Sequence, residues 1–190
     1  MPRHSAVWPA RLPSHLSPPA TSLWVNMAVS AWRYPDKTAL VFMGRRWTYP
    51  ELMAACEQMA GHLARLGVRK GDRVVLNMQN CPQLVITHFA ILRLDAVVVP
   101  VNPMNKAQEL QHYITDPDVK VAVTTADLAP ELAQASAALP PEQRLAHLVV
   151  AQFTDVFDPA TLVAEERTWQ QQQPWPWQQQ QRHQQPVPWQ

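Results

Sequence analysis

Four of the chain's five asparagines fall just past two stretches that read as β-strands: Asn77 and Asn80 at the end of residues 73–78, Asn102 and Asn105 after residues 96–101. The carboxyl edge of a parallel sheet is where open α/β folds bind ligands, and helix N-termini there point at anions. Amide side chains on that edge can face a bound molecule. The same positions suit structural duties: Asn80 and Asn105 as helix N-caps, and Asn102-Pro103 as a turn. No stronger constellation competes with them. The sequence holds no GxSxG elbow, no paired-carboxylate motif, no GxGxxG and no GxxxxGK[ST]. Its seven His residues show neither HxxxH nor HExxH spacing, so no metal ligand is assigned. No residue is assigned as catalytic or cofactor-binding either.

Three smaller features have bland readings. Arg45-Arg46-Trp47 is a basic turn that can touch a phosphate, but a hairpin tip showing charge to water explains it as well. Glu165-Glu166 reads as a solvated pair. Cys56 and Cys81 sit in separate predicted helices without CxxC spacing, as buried thiols in a reducing cytoplasm would.

The elements that position these residues follow from periodicity. Thr21 or Ser22 can cap a helix running to about Arg33, stopped by Tyr34-Pro35-Asp36. Residues 38–43 and 46–48 form a candidate hairpin about a Gly44-Arg45 turn. Thr48 and Glu51 have capping-box spacing, and Pro50 belongs in the first turn of the helix they open. Along that helix Leu52, Cys56, Met59, Leu63 and Leu66 make one apolar stripe, and Gly67 suits a left-handed cap. Strands and helices then alternate. Strands are expected at 73–78, 96–101, 119–124 and 147–151. Helices are expected at 82–93, at 106–115, and at 127–138, the last broken early by Pro130. The run 96–101 is β-branched in the manner of a central parallel strand. Strand–helix–strand at this spacing predicts an α/β fold, a mostly parallel sheet flanked by helices.

Composition divides the 190 residues further. With 47% hydrophobic and 16% charged residues, the chain can bury one sizeable core. Four Gly against nineteen Pro argue against glycine-rich phosphate loops. The net charge of +1 predicts no strong pull toward nucleic acid or membrane. No apolar run reaches the roughly 18 residues of a membrane span. Residues 1–20 read as an extended leader, 21–163 as the α/β unit, and 164–190 as a low-complexity disordered tail. From Thr168 onward the tail holds eleven Gln, four Trp and four Pro. A sticky disordered segment, a docking segment and a shifted reading frame all fit it.

Several short segments form an ordered set. They are Tyr34-Pro35-Asp36-Lys37-Thr38-Ala39, Trp47-Thr48-Tyr49-Pro50-Glu51-Leu52, Leu66-Gly67-Val68-Arg69-Lys70-Gly71-Asp72-Arg73-Val74, Asn80-Cys81-Pro82, Val98-Val99-Pro100-Val101-Asn102-Pro103 and Glu109-Leu110. In this order and spacing the chain resembles the N-terminal portion of the AMP-forming acyl-CoA synthetases, the adenylate-forming ligase superfamily. Val101-Asn102-Pro103 is similar to the fatty acyl-CoA ligases in particular. Asp95 departs from the glycine common before that strand.

The resemblance implies a parent reaction in which a carboxylic acid attacks the α-phosphate of ATP, with Mg²⁺, and CoA then displaces AMP. Its substrate would be a small-molecule acid, a medium or long acyl chain. The family's phosphate loop, adenine motif, ribose-binding Asp and catalytic Lys do not occur in this sequence. The expectation is therefore a truncated N-terminal part, inactive alone, binding no cofactor by itself, cytoplasmic, with no nucleic-acid partner. It should also leave apolar surface uncovered, where the family packs a second subdomain. The alternative is a non-catalytic α/β binding or interaction module that kept the scaffold.

Overall fold

The computed structural model describes residues 7–9, 11–13 and 18–156. The expected tail, residues 164–190, lies outside the described residues, and so does Glu165-Glu166. Within the leader the Trp8 indole N–H donates to the Leu12 carbonyl at 3.1 Å, closing a local turn.

Helix α1 (Leu23–Arg33) follows Ser22, whose backbone is extended and whose side chain makes no cap bond. It stops at Tyr34, which leaves the helical region because Pro35 follows. Strands β1 (Thr38–Phe42) and β2 (Arg45–Thr48) pair antiparallel as a two-stranded hairpin. The turn is Met43-Gly44, at φ 46° and 82°, one residue earlier than Gly44-Arg45. A two-residue hairpin loop matches strand twist best when both residues take positive φ, and that sets its place.

Helix α2 (Tyr49–Arg65) opens on the expected capping box. The Glu51 N–H donates to Thr48 Oγ1 at 3.4 Å, and the Thr48 N–H donates to Glu51 Oε2 at 2.7 Å. It closes at Gly67, φ 95°, where the Val68 N–H reaches the Leu63 carbonyl and the Gly67 N–H reaches that of Ala64. This pair of bonds satisfies carbonyls the helix end would otherwise orphan.

Strands β3 (Arg73–Asn77), β4 (Val97–Pro100), β5 (Val121–Thr125) and β6 (His147–Ala151) form one parallel sheet in the order β4-β3-β5-β6. Helices α3 (Pro82–Arg93), α4 (Ala107–Thr115) and α5 (Ala129–Ala137) make the crossovers. Pro130 stands in the first turn of α5, where it has no helical N–H to lose, and so does not break it.

The β-branched run at β4 is an edge strand, not a central one, and Val97 is half exposed. Its apolar character reflects cover from helices above and below, which says nothing of a neighbouring strand. On one face Val74, Leu76, Val121 and Val123 pack with Ala60, Leu63, Ala90 and Ile91 of α2 and α3. On the other, Val75 and Ala122 pack with Leu110 and Ile114 of α4 and Leu132 and Ala135 of α5. The stripe of α2 divides: Leu63 joins the sheet core, while Leu52 and Cys56 join Met27 of α1 and Trp47 of β2.

Candidate functional site

Chain direction singles out one place on the carboxyl edge. From β3 the chain leaves through α3 toward β4, and from β5 it leaves through α5 toward β6, on the opposite face of the sheet. Adjacent strands with diverging exits create the switch point at which doubly wound sheets bind ligands.

The residues there are uncharged and enclosed. Asn77 ends β3 at 1% exposure, opposite Thr124 in register, and the Thr124 hydroxyl donates to the Asn77 carbonyl at 2.9 Å. Thr125 follows on the other face of β5, also buried. Gln83, in the first turn of α3, donates through Nε2 to the Gln152 carbonyl at 2.5 Å, just past β6. Among the described residues, three buried side-chain atoms lack a hydrogen-bond partner: Asn77 Oδ1, Gln83 Oε1 and Thr125 Oγ1. All three can accept a hydrogen bond, and none carries charge.

Of the four asparagines, only Asn77 is at the switch point itself. Asn80 and Asn105 are not N-caps, because those places are taken by Cys81 and Lys106. Each asparagine stands one residue too early. Asn80 is exposed. Asn102 does form the expected turn: its Oδ1 accepts from the Met104 N–H at 3.0 Å and its carbonyl accepts from the Asn105 N–H at 3.0 Å.

The α4 N-terminus, beside Asn105, is filled by the chain's own carboxylates. Glu109 Oε2 accepts from the Lys106 N–H at 2.9 Å, and Glu131 Oε2 accepts from the Ala107 N–H at 3.0 Å. Glu131 also pairs with Lys106 Nζ at 3.2 Å. The Lys106 hydrogen bond, helped by the Ala107 N–H, holds the Glu131 carboxyl below its ordinary range. A helix end that attracts anions is therefore already answered.

Gln83, Thr124 and Thr125 escape a reading by motif. The available signal is two threonines closing the apolar run Val121-Ala122-Val123. Both cysteines are buried, which pushes the Cys56 thiol up to about 12 and the Cys81 thiol upward as well. Cys81 caps α3 rather than lying within it. Arg45 and Arg46 are exposed, with Arg45 stacked on buried Trp47 at 4.5 Å.

A magnesium nucleotide needs cations at its phosphates and carboxylate oxygens at its metal. The switch point offers enclosed amides and hydroxyls, and no cluster of three His, Cys, Asp or Glu forms among the described residues. These residues do not fit that group. A shallow pocket at the opposite, amino-terminal edge includes Arg73, Lys120 and Asp118. Its cations are engaged: Arg73 Nε donates to the Pro117 carbonyl at 2.6 Å, and Lys120 Nζ pairs with Asp118 at 3.1 Å.

Residues 27–190 match the family model described as AMP-binding enzyme. The chain belongs to that family. The Long-chain-fatty-acid--CoA ligase of Bacillus subtilis (strain 168) is 35% identical over 126 residues, covering 66% of this chain and 22% of its own length. The chain thus spans about a fifth of the length of the curated relatives it matches. Among solved structures, a Mycobacterium tuberculosis fatty acyl CoA synthetase superposes with TM-score 0.63 at 27% identity, over 77% of this chain and 28% of that one. The anthranilate CoA ligase AuaEII, solved with anthranoyl-AMP, gives TM-score 0.66 at 25% identity, over 73% and 27%. The parallel four-stranded sheet and its helices match the N-terminal domain of acyl-CoA ligases.

Membership in the AMP-binding family gives Asp95 a physical reading. It takes φ 54° at the end of α3, the left-handed region where glycine is free and aspartate is tolerated. The Ala96 N–H reaches the Ile91 carbonyl around it, as Val68 reaches Leu63 around Gly67.

Proposed function

We propose that this chain is a scaffold part of an AMP-forming fatty acyl-CoA ligase and does not itself activate carboxylic acids. The observation that carries the reading is the carboxyl edge. Its switch point is closed by Asn77, Gln83, Thr124 and Thr125, all buried and uncharged. Its α4 N-terminus is occupied by Glu109 and Glu131. In-line attack on a phosphate needs preorganised positive charge where charge develops. Amides cannot supply it, and Lys106 at the start of α4 is already paired with Glu131.

In this reading the whole protein's reaction joins a long-chain or medium-chain acid to CoA at the expense of ATP. The described residues contribute a rigid α/β layer, and Asn77, Asn80, Asn102 and Asn105 line its ligand-facing edge without binding nucleotide unaided. Equilibrium dialysis of the 190-residue chain against radiolabelled ATP with Mg²⁺ tests this. No saturable uptake is expected up to millimolar nucleotide. Stoichiometric uptake that Asn77→Leu or Asn102→Ala removes would overturn it.

A further inference from the structure

Past β6 the chain makes a single 3₁₀ turn, Phe153–Val156, that leans on α3. The turn closes its own hydrogen bonds. The Gln152 N–H donates to Asp155 Oδ2 at 2.7 Å, and the Asp155 N–H donates back to the Gln152 carbonyl at 3.1 Å. Such a turn keeps these bonds wherever it moves. Gln152, Thr154 and Asp155 are exposed, while Phe153 is half-buried against the core that α2 and α3 share. Among the described residues one hydrogen bond ties the turn to the rest of the fold, from Gln83 Nε2 to the Gln152 carbonyl.

The closed position carries a cost at the same place. Gln83 spends its donor on the turn, but its Oε1 is enclosed without a partner. Thr125 Oγ1, also buried and unpartnered, belongs to the residue that pairs in register with Ala151, directly before Gln152. An enclosed acceptor destabilises whatever encloses it, because water satisfies it on opening. One net hydrogen bond and one half-buried ring are a weak restraint against that. Segments with few buried contacts are where folded chains open locally. Lifting this turn breaks the Gln83 bond and uncovers the very amide whose oxygen is unpartnered.

We propose that residues 152–156 are a strap, latched by Gln83, that opens and closes over this end of the sheet while the rest of the fold stays intact. Closed, it seals the Gln83 amide. Open, it frees that amide, donor and acceptor together, on the carboxyl edge. The strap rests on the packing of the fold and stands independently of the ligase reading.

Fluorine NMR of the 190-residue chain, with 4-fluorophenylalanine at its four Phe positions and signals assigned by substitution, tests the proposal. The Phe153 signal should show exchange between two environments on the μs–ms scale, while Phe42 and Phe89 show none. Gln83→Met removes the latch and should raise the open population about fivefold. Gln83→Glu supplies a reversal within one folded protein. Its carboxylate cannot donate, so the strap should open at neutral pH and close again in acid, when the protonated carboxyl donates to Gln152. A single unchanging environment at Phe153, or exchange shared with Phe42 and Phe89, would overturn the proposal. So would an open population that neither variant moves.

Discussion

Asn77 and Thr124 face each other across β3 and β5, and the Thr124 hydroxyl donates to the Asn77 carbonyl at 2.9 Å. The bond fastens the two strands where their chain exits diverge. The Asn77 side-chain oxygen is left buried without a partner. The centre of the edge is thus a closed polar seam.

An unpartnered buried acceptor is expensive, whereas an apolar group of similar shape is not. Asn77→Leu should leave stability within about 0.5 kcal/mol of the parent or raise it by up to about 1 kcal/mol. Thr124→Val should lower it by about 1 kcal/mol, since it deletes a satisfied bond. Urea unfolding of both variants checks the contrast in sign.

Gly67 and Asp95 occupy equivalent left-handed positions after α2 and α3, at φ 95° and 54°. Gly67→Ala should destabilise by about 1 kcal/mol from backbone strain alone, because nothing lies within 4 Å of an added Cβ. Asp95→Gly should stabilise by about 0.5–1 kcal/mol. The Lys70–Asp95 pair it loses is long, at 3.8 Å, and solvent-exposed, so little offsets the gain. Thermal melts of the two variants should move in opposite directions.

The capping box makes α2 sensitive to acid. The Thr48 N–H, with its hydroxyl, holds Glu51 below its ordinary value of 4.5. A carboxyl depressed in the fold contributes stability that is complete above its unfolded value and lost as pH falls through the folded one. Stability should therefore decline below pH 4.5, and Glu51→Gln should flatten that decline. Urea midpoints measured across the acid range check it.

Cys56 and Cys81 should resist a thiol reagent at pH 8 until the chain unfolds, because burial favours their neutral forms. A thiol raised in the fold adds stability below its unfolded value. For Cys56 that contribution disappears as pH climbs from 9 toward 12. Labelling with and without urea, read by mass, separates folded from unfolded reactivity. Rapid labelling of the folded chain would mean that α2 opens far more readily than its packing implies.

Much of the fold is legible in the residues. Helix α3 is bounded by Pro82 at its start and Asp95 after its end, and β6 by its own apolar run, so expected and observed bounds coincide for both. Strand order is not legible in the same way. Val98 and Val99 look central because helices cover both faces, yet among the described residues β4 has a neighbour on one side only. The site was legible in part. Position on the edge follows from strand ends, which found Asn77 and the Asn102 turn. The hydrogen bond of Gln83 depends on α3 meeting the chain just past β6, a contact that no local pattern encodes. Nor does spacing reveal that Glu131 reaches across from α5 to the start of α4.

The most direct measurement is acid-dependent ATP–pyrophosphate exchange by the purified 190-residue chain, across a panel of fatty and aromatic acids. Losing a single preorganised donor typically slows such chemistry by about 10²–10³, and Lys106, the cation at the start of α4 on this edge, is already paired with Glu131. The account predicts exchange indistinguishable from a protein-free control with every acid. Exchange clearly above that control, and abolished by substituting Asn77, Asn80, Asn102 and Asn105, would contradict it.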